Sequence, residues 1–293
     1  MKKVWLSVLT VLSVLFLAAC GGSKDKDAAE TSNESKGGLP AMTEKEASDI
    51  EYKDGKYRAT FDRTDVRDWK AFVELTVKDG KITEAVYDYT NDAGEIRSEN
   101  KKYEEAFAAV NKFTPKEAFT RLSDELVATQ DAERIDVVSG ATHSTRNFET
   151  LAKAATANAK DGKTEEAIVP LYQDGTYKLV ASEFSDKGWK EFVELTITDH
   201  KIAAVTFDAV NKEGKLKSED AEYKKAMEKE TKTSPEKYNK ELVDALIKSQ
   251  KVSGIDVVSG ATHSTDSFKH YVEVLLDDYA EIGKTGEFEA PAE

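Results

Sequence analysis

Ile135–Thr145 and Ile255–Thr265 both read IDVVSGATHST. Identity over eleven residues, in a chain whose flanking sequence has drifted, admits two explanations. Either a helix-capping turn was copied by recent duplication, or the loop is recognised side chain by side chain. Capping alone tolerates Ser, Asp and Asn in exchange, which favours recognition.

Working outward, a shift of 120 positions superposes the chain on itself without a gap. Tyr52-Lys-Asp-Gly-Lys-Tyr57 meets Tyr172-Gln-Asp-Gly-Thr-Tyr177, Trp69 meets Trp189, FVELT at 72–76 meets FVELT at 192–196, and Pro115 meets Pro235. Repeats of this length are domains rather than solenoid units. Within a copy, Val73, Leu75 and Val77 alternate with polar residues up to Asp79-Gly80, and KITEAVYDY follows, which predicts a hairpin. The second copy has Asp199-His200 at the turn, and histidine suits a positive φ less well than glycine, so the hairpin signal is weaker there.

Tyr103, Phe107 and Val110 carry helical spacing, and Pro115 opens a segment with Phe119, Leu122, Leu126 and Val127 on one face. Tyr238, Leu242, Leu246 and Ile247 mirror that face after Pro235. A short β-rich run, Ile135–Val138, precedes the loop, and Phe148 and Leu151, or Phe268, Tyr271 and Leu275, mark a last helix. The expected fold is α+β, two tandem copies of one domain, each an antiparallel sheet with packed helices.

Between a strand and a helix, the loop offers unpaired backbone N–H groups that suit a phosphate. Ser144 and Thr145, or Ser264 and Thr265, are the expected N-caps. Gly140 and Ala141, with Gly260 and Ala261, remove side-chain bulk; Ser139 and Thr142, with Ser259 and Thr262, supply hydroxyls. A non-covalent anion site is therefore also open.

The first twenty residues combine two lysines, an apolar run from Val4 to Ala19 and small residues before Cys20. They read as an export signal, with too short an apolar run for a spanning helix. Leu17-Ala18-Ala19-Cys20 resembles the lipobox of bacterial lipoproteins, in which the cysteine is acylated after cleavage. Cys20 is the only cysteine, so neither an intramolecular disulfide nor a cysteine-ligated zinc or iron–sulfur site can form. The residues after it, rich in Gly, Ser and charge, read as a tether with a root-mean-square reach of about 30 Å and about 100 Å at full stretch. The expected organisation is signal peptide 1–19, lipidated cysteine and tether 20–48, domains 49–165 and 168–288, and a tail 289–293. A net charge of -14 over 293 residues disfavours nucleic acid and anionic headgroups as direct ligands. Membrane contact is expected through the lipid alone.

Asp-x-x-Ser-Gly-Ala-Thr, at Asp136–Thr142 and again at Asp256–Thr262, resembles the flavinylation motif of the FMN-binding domain family. That resemblance implies two covalent FMN groups. In the family a flavin transferase splits FAD and joins FMN through its phosphate to the last threonine of the motif, here Thr142 and Thr262. It carries a recognition role onto Asp136, Ser139, Gly140 and Ala141, and onto Asp256, Ser259, Gly260 and Ala261. An unactivated threonine hydroxyl is a weak nucleophile, so an outside catalyst fits the chemistry.

His143 and His263 follow the two threonines and read either as phosphate partners or as solvent-facing polar residues. Neither has a second histidine at ligand spacing, so no metal site is expected. His200 and His270 read as ordinary surface positions, and the paired carboxylates Asp124-Glu125 and Asp277-Asp278 as solvated helix faces. Trp69 and Trp189 read as core residues or as walls for an isoalloxazine ring. No nucleophile elbow, dinucleotide fingerprint or phosphate loop is present.

Lipobox, tether and tandem domains together resemble the flavin-carrying lipoproteins of Gram-positive extracellular electron transfer, some of them pheromone-encoding. The resemblance implies an electron carrier on the extracytoplasmic face of the cell membrane rather than an enzyme. Its donor would be a membrane NADH dehydrogenase and quinone, and its acceptors extracellular, such as ferric iron. The excised SVLFLAA would be a candidate signalling peptide. The competing class is a non-redox ligand-binding or adhesion lipoprotein, which would close two dissimilar lobes on one ligand.

Overall fold

In each half the chain begins with an antiparallel meander. The computed structural model describes residues 38–39 and 42–290, so the signal peptide, Cys20, most of the tether and residues 291–293 lie outside it. Strands β1 (Gly55–Phe61), β2 (Lys70–Lys78) and β3 (Lys81–Thr90) pair in sequence order, with Lys78 opposite Lys81. Asp79 and Gly80 form the connecting turn at φ 51° and 75°, the mirror-image geometry whose twist matches the flanking strands. Helices α1 (Lys101–Asn111), α2 (Pro115–Thr129) and α3 (Thr142–Asp161) follow. Thr114 and Glu117 close a reciprocal capping box over α2, with Pro115 in its first turn.

The second half repeats this order with β5 (Gly175–Val180), β6 (Lys190–Thr198), β7 (Lys201–Val210), α4 (Ala221–Thr231), α5 (Pro235–Ser249) and α6 (Thr262–Val274). A π-helical turn, Leu275–Ala280, continues α6. Despite His200, the second hairpin forms in full. His200 sits at φ 60°, and the Asp174 carboxylate accepts the N–H groups of Asp199 and His200 at 3.1 and 2.7 Å. In the first half Asp54 accepts only the Gly80 N–H, at 2.9 Å. Asp174→Ala is therefore expected to cost the second domain about 1 kcal/mol, and Asp54→Ala less. Calorimetric unfolding of the two variants checks the order, and a larger loss from Asp54→Ala would contradict it.

The sheets are not purely antiparallel. β4 (Ala167–Val169) pairs parallel to β1, and β8 (Gly286–Glu289) parallel to β5, giving the orders β3-β2-β1-β4 and β7-β6-β5-β8. The first sheet thus runs past residue 165, the expected domain end, and β8 takes in Glu289 of the expected tail. The run Ile135–Val138 is an extended loop and not a strand. Residues 42–48 also lie against the first domain: Ser48 N–H donates to Thr129 O at 2.8 Å and Arg134 to Glu46 O at 2.8 Å.

α2 packs along β3, and α3 crosses β1 and β2. Between them Tyr57, Val73, Leu75, Tyr87 and Tyr89 from the sheet meet Phe119, Leu122, Phe148 and Leu151 from the helices, all buried. Burying each such side chain contributes about 1.5–3 kcal/mol. Val110, expected on the inner face of α1, is 78% exposed, and α1 buries no residue fully. Among the described residues no helix is long and apolar enough to cross a membrane.

Candidate functional site

Each loop is a tight turn pinned at both ends. Val138 and Ala141 are buried, and Ala141 N–H closes the turn on Val138 O at 2.8 Å. Gly140 between them sits at φ 84°, and Gly260 at 79°. Ser139, Gly140 and Thr142 are exposed, as are Ser259, Gly260 and Thr262.

Thr142 and Thr262 are the first residues of α3 and α6, and Ala141 and Ala261 take the cap positions without a side-chain cap. The expected N-caps therefore lie one turn too far in. The first backbone bond of α3 is Thr145 N–H to Ala141 O, which leaves the N–H groups of Thr142, His143 and Ser144 ahead of the intrahelical ladder. Thr145 is fully buried and ties the loop down: its Oγ1 accepts Val138 N–H at 3.2 Å and donates to Ala141 O at 3.1 Å. Thr265 repeats both bonds at 3.2 and 3.0 Å. Tyr87 secures the same end of α3 by donating to Ser144 O at 2.7 Å.

Removing that hydroxyl strands a buried N–H group, at a cost of about 1–3 kcal/mol. Thr265→Val is expected to lower the second domain's unfolding temperature and speed amide exchange at Val258. Thr145→Val should act likewise at Val138. Unchanged exchange at both amides would sink the anchoring role.

Asp136 is paired with Lys45. Its carboxylate is 2.7 Å from Lys45 Nζ, and its N–H donates to Glu125 Oε1 at 3.0 Å. The hydrogen bond from Lys45 holds the Asp136 carboxyl below the ordinary range. Asp256 is exposed. Glu125, taken from the sequence as a solvated face, is buried, with Lys45 at 2.6 Å.

A cleft of about 920 Å³ opens beside Thr262, lined by Phe184, Trp189, Lys217, Tyr223 and Met227. Trp189 is 9% exposed, its ring edge-on to Tyr223 at 5.9 Å, so it belongs to core and cleft at once. Lys217 lies over the Tyr223 ring at 5.1 Å. In the first domain Arg97 stands in the place of Lys217, between the rings of Tyr89 and Tyr103 at 4.5 and 4.2 Å. Its Nε and Nη1 are buried without a hydrogen-bond partner, and Asp65 is 3.6 Å away. Trp69 is half-buried against the core. His263 and His270 are exposed.

His143 is drawn into contacts that sequence spacing did not reveal. Its Nε2 lies 2.8 Å from Glu281 and 3.1 Å from Asp277, and Arg67 donates twice to Asp277 at 3.1 and 3.0 Å. Asp277 is thus no solvated face. Burial opposes charge on the imidazole, yet hydrogen bonds to Asp277 and Glu281 outweigh it and raise the His143 pKa to about 9. Burial also acts against charge on Asp277, but His143 and Arg67 hold that carboxyl low. For Glu281 burial wins over the His143 bond and pushes the carboxyl up. Arg67 and Asp277 are far apart in sequence, so only a distance map could have paired them.

Comparison with known proteins places the sequence in a family. The sequence profile described as the FMN-binding domain matches residues 69–157 and 188–277. The chain is 38% identical over 117 residues to the 15 kDa lipoprotein of Treponema pallidum (strain Nichols), a match covering 40% of this chain and 80% of that one. A crystallised Clostridium perfringens protein is 37% identical, covering 40% of this chain and 97% of its own, with a TM-score of 0.39. A Clostridium thermocellum protein solved by NMR is 23% identical, covering 36% and 91%, with a TM-score of 0.25. With the motif loop, the helix after it and the hairpin before it present twice and matched twice by the profile, the chain belongs to the FMN-binding domain family and carries the domain in tandem.

Proposed function

We propose that this protein is a lipid-anchored, extracytoplasmic electron carrier with FMN joined by phosphoester bonds to Thr142 and Thr262. The observation that carries the reading is the placement of those threonines. Each is exposed at the first position of a helix, beside a turn that holds no bulk, while the Ser and Thr that follow it in the helix, Ser144 and Thr145 or Ser264 and Thr265, are buried.

The residues present fit the group. The amides ahead of each helical ladder suit the singly charged phosphodiester that such a linkage leaves. A Cβ on Gly260 would come within 2.7 Å of Thr231, so the turn accepts only glycine at that close approach. Trp189, Tyr223 and Phe184 line the cleft beside Thr262 with aromatic surface, and Arg97 and Lys217 place a cation beside the tyrosine in each domain. Such a cation favours the arrival of an electron. Bound FMN supplies exchange between one-electron and two-electron steps. The chain's own contribution is to hold the phosphate, to set exposure and to tune the field.

The Treponema relative is named a lipoprotein, which supports the lipobox at Cys20 and a membrane anchor. A flavin transferase is the required partner, a membrane NADH dehydrogenase with quinone the donor, and ferric iron or another extracellular oxidant the acceptor. No substrate pocket of an enzyme is needed. The test is spectroscopic: the flavinylated chain is added to NADH-fed membrane vesicles under nitrogen. Flavin absorbance is expected to bleach, and ferric iron to restore it. Failure of a working transferase to modify the chain would overturn the reading and leave a ligand-binding or adhesion lipoprotein.

A further inference from the structure

Three side chains with metal-ligand chemistry converge where the second domain meets the first. His143 is the second residue of α3, immediately after Thr142. Asp277 and Glu281 stand four residues apart across the π-helical turn after α6, where Glu281 N–H reaches back to Leu276 O at 3.1 Å. In a widened turn that spacing points both carboxylates the same way, and single π turns of this kind recur at functional sites. One ligand atom from each of the three lies within 4.8 Å of the others. Their side chains are 24%, 15% and 5% exposed.

A second observation is independent of that convergence. Glu281 Oε2 faces His143, but its other oxygen, Oε1, is buried with no hydrogen-bond partner. An acidic oxygen left unmatched in a site that is otherwise paired is costly, and a bound cation would relieve it. His263, the counterpart of His143, is exposed, and no such cluster forms around it among the described residues.

We propose that His143, Asp277 and Glu281 bind one divalent transition-metal ion of the zinc class across the seam between the domains, beside the first motif threonine. One imidazole nitrogen with two carboxylate oxygens suits zinc; magnesium prefers oxygen alone and keeps its waters. The ion takes the place of the proton on Nε2, and Arg67 retains Asp277 through its second oxygen. It links a residue of α3 to the end of the second domain, so it fixes the domains relative to each other. The site needs both domains, which is why neither half of the sequence announces it, and it does not depend on the flavin.

The test is equilibrium dialysis of the chelator-stripped intact chain against zinc alone, with bound metal measured by mass spectrometry of the digested protein. One zinc per chain is expected, together with a rise in unfolding temperature on zinc addition. The nearly isosteric Glu281→Gln, and separately His143→Gln, should each lose the bound ion and the thermal shift, while His270→Gln keeps both. Absence of retained zinc in the unaltered chain, or zinc retained at full stoichiometry in both variants, overturns the proposal.

Discussion

Thr142→Ala and Thr262→Ala are each expected to remove one of two covalent FMN adducts, and the double variant to carry none. Intact mass and in-gel flavin fluorescence on protein made with a flavin transferase read the count directly. The effect is all-or-none because the attacking oxygen is deleted and no neighbour replaces it. Ser144 and Thr145 are buried, as are Ser264 and Thr265, and the Thr145 and Thr265 hydroxyls are already spent on the loop. Ser139 and Ser259 are exposed, but they lie on the far side of the glycine and outside the helix. Stability should change little, by about 0.5 kcal/mol or less, since each threonine is exposed and caps nothing. Thr→Ser variants should retain the adduct. An adduct surviving in the double alanine variant would place the linkage elsewhere.

Gly260→Val is expected to abolish modification at Thr262 while leaving Thr142 labelled. At φ 79° a β-branched residue is badly strained, at a cost of about 1–3 kcal/mol. The added Cβ would also lie 2.7 Å from Thr231 Cβ and 2.9 Å from the Thr231 backbone oxygen, which has no easy retreat. Gly140→Val carries the same strain at φ 84°, but its Cβ meets Asn111 Oδ1 at 2.5 Å, the end of a side chain on α1. That amide can swing outward once its 3.1 Å bond to Phe107 O is given up. The second-domain variant should therefore lose more stability and more flavin than the first-domain one. Site-resolved mass spectrometry and thermal unfolding decide the order, and equal losses would refute the backbone explanation.

Most of the architecture was legible where a periodic pattern met a local signal. The hairpins follow from alternating Val73, Leu75 and Val77 ending at Asp-Gly, and α2 from Pro115 with its apolar face. The run Ile135–Val138 misleads because Val137 and Val257 resemble strand residues, yet they are 62% and 57% exposed. The backbone there is claimed by the Glu125 carboxylate and the Thr145 hydroxyl instead of a neighbouring strand. Thr145 looks like a cap for a similar reason: a hydroxyl near a helix start bonds backward as readily as it caps, here to Ala141 O. β4 and β8 were missed because three or four residues carry too little pattern, and their parallel partners are far away in sequence.

By itself, the sequence determined that there are two copies of one α+β domain, that each presents one Ser-Gly-Ala-Thr loop, and that Thr142 and Thr262 are the last residues of that motif. These follow from identity, spacing and alternation, which are local or strictly repeated. The tertiary structure alone decided which neighbours matter. It paired Asp136 with Lys45, set Trp189 and Tyr223 along a cleft beside Thr262, and brought Asp277 and Glu281 onto His143. The physical reason is that such contacts arise when separate elements pack, and a repeat copies a domain without copying what its neighbour presses against.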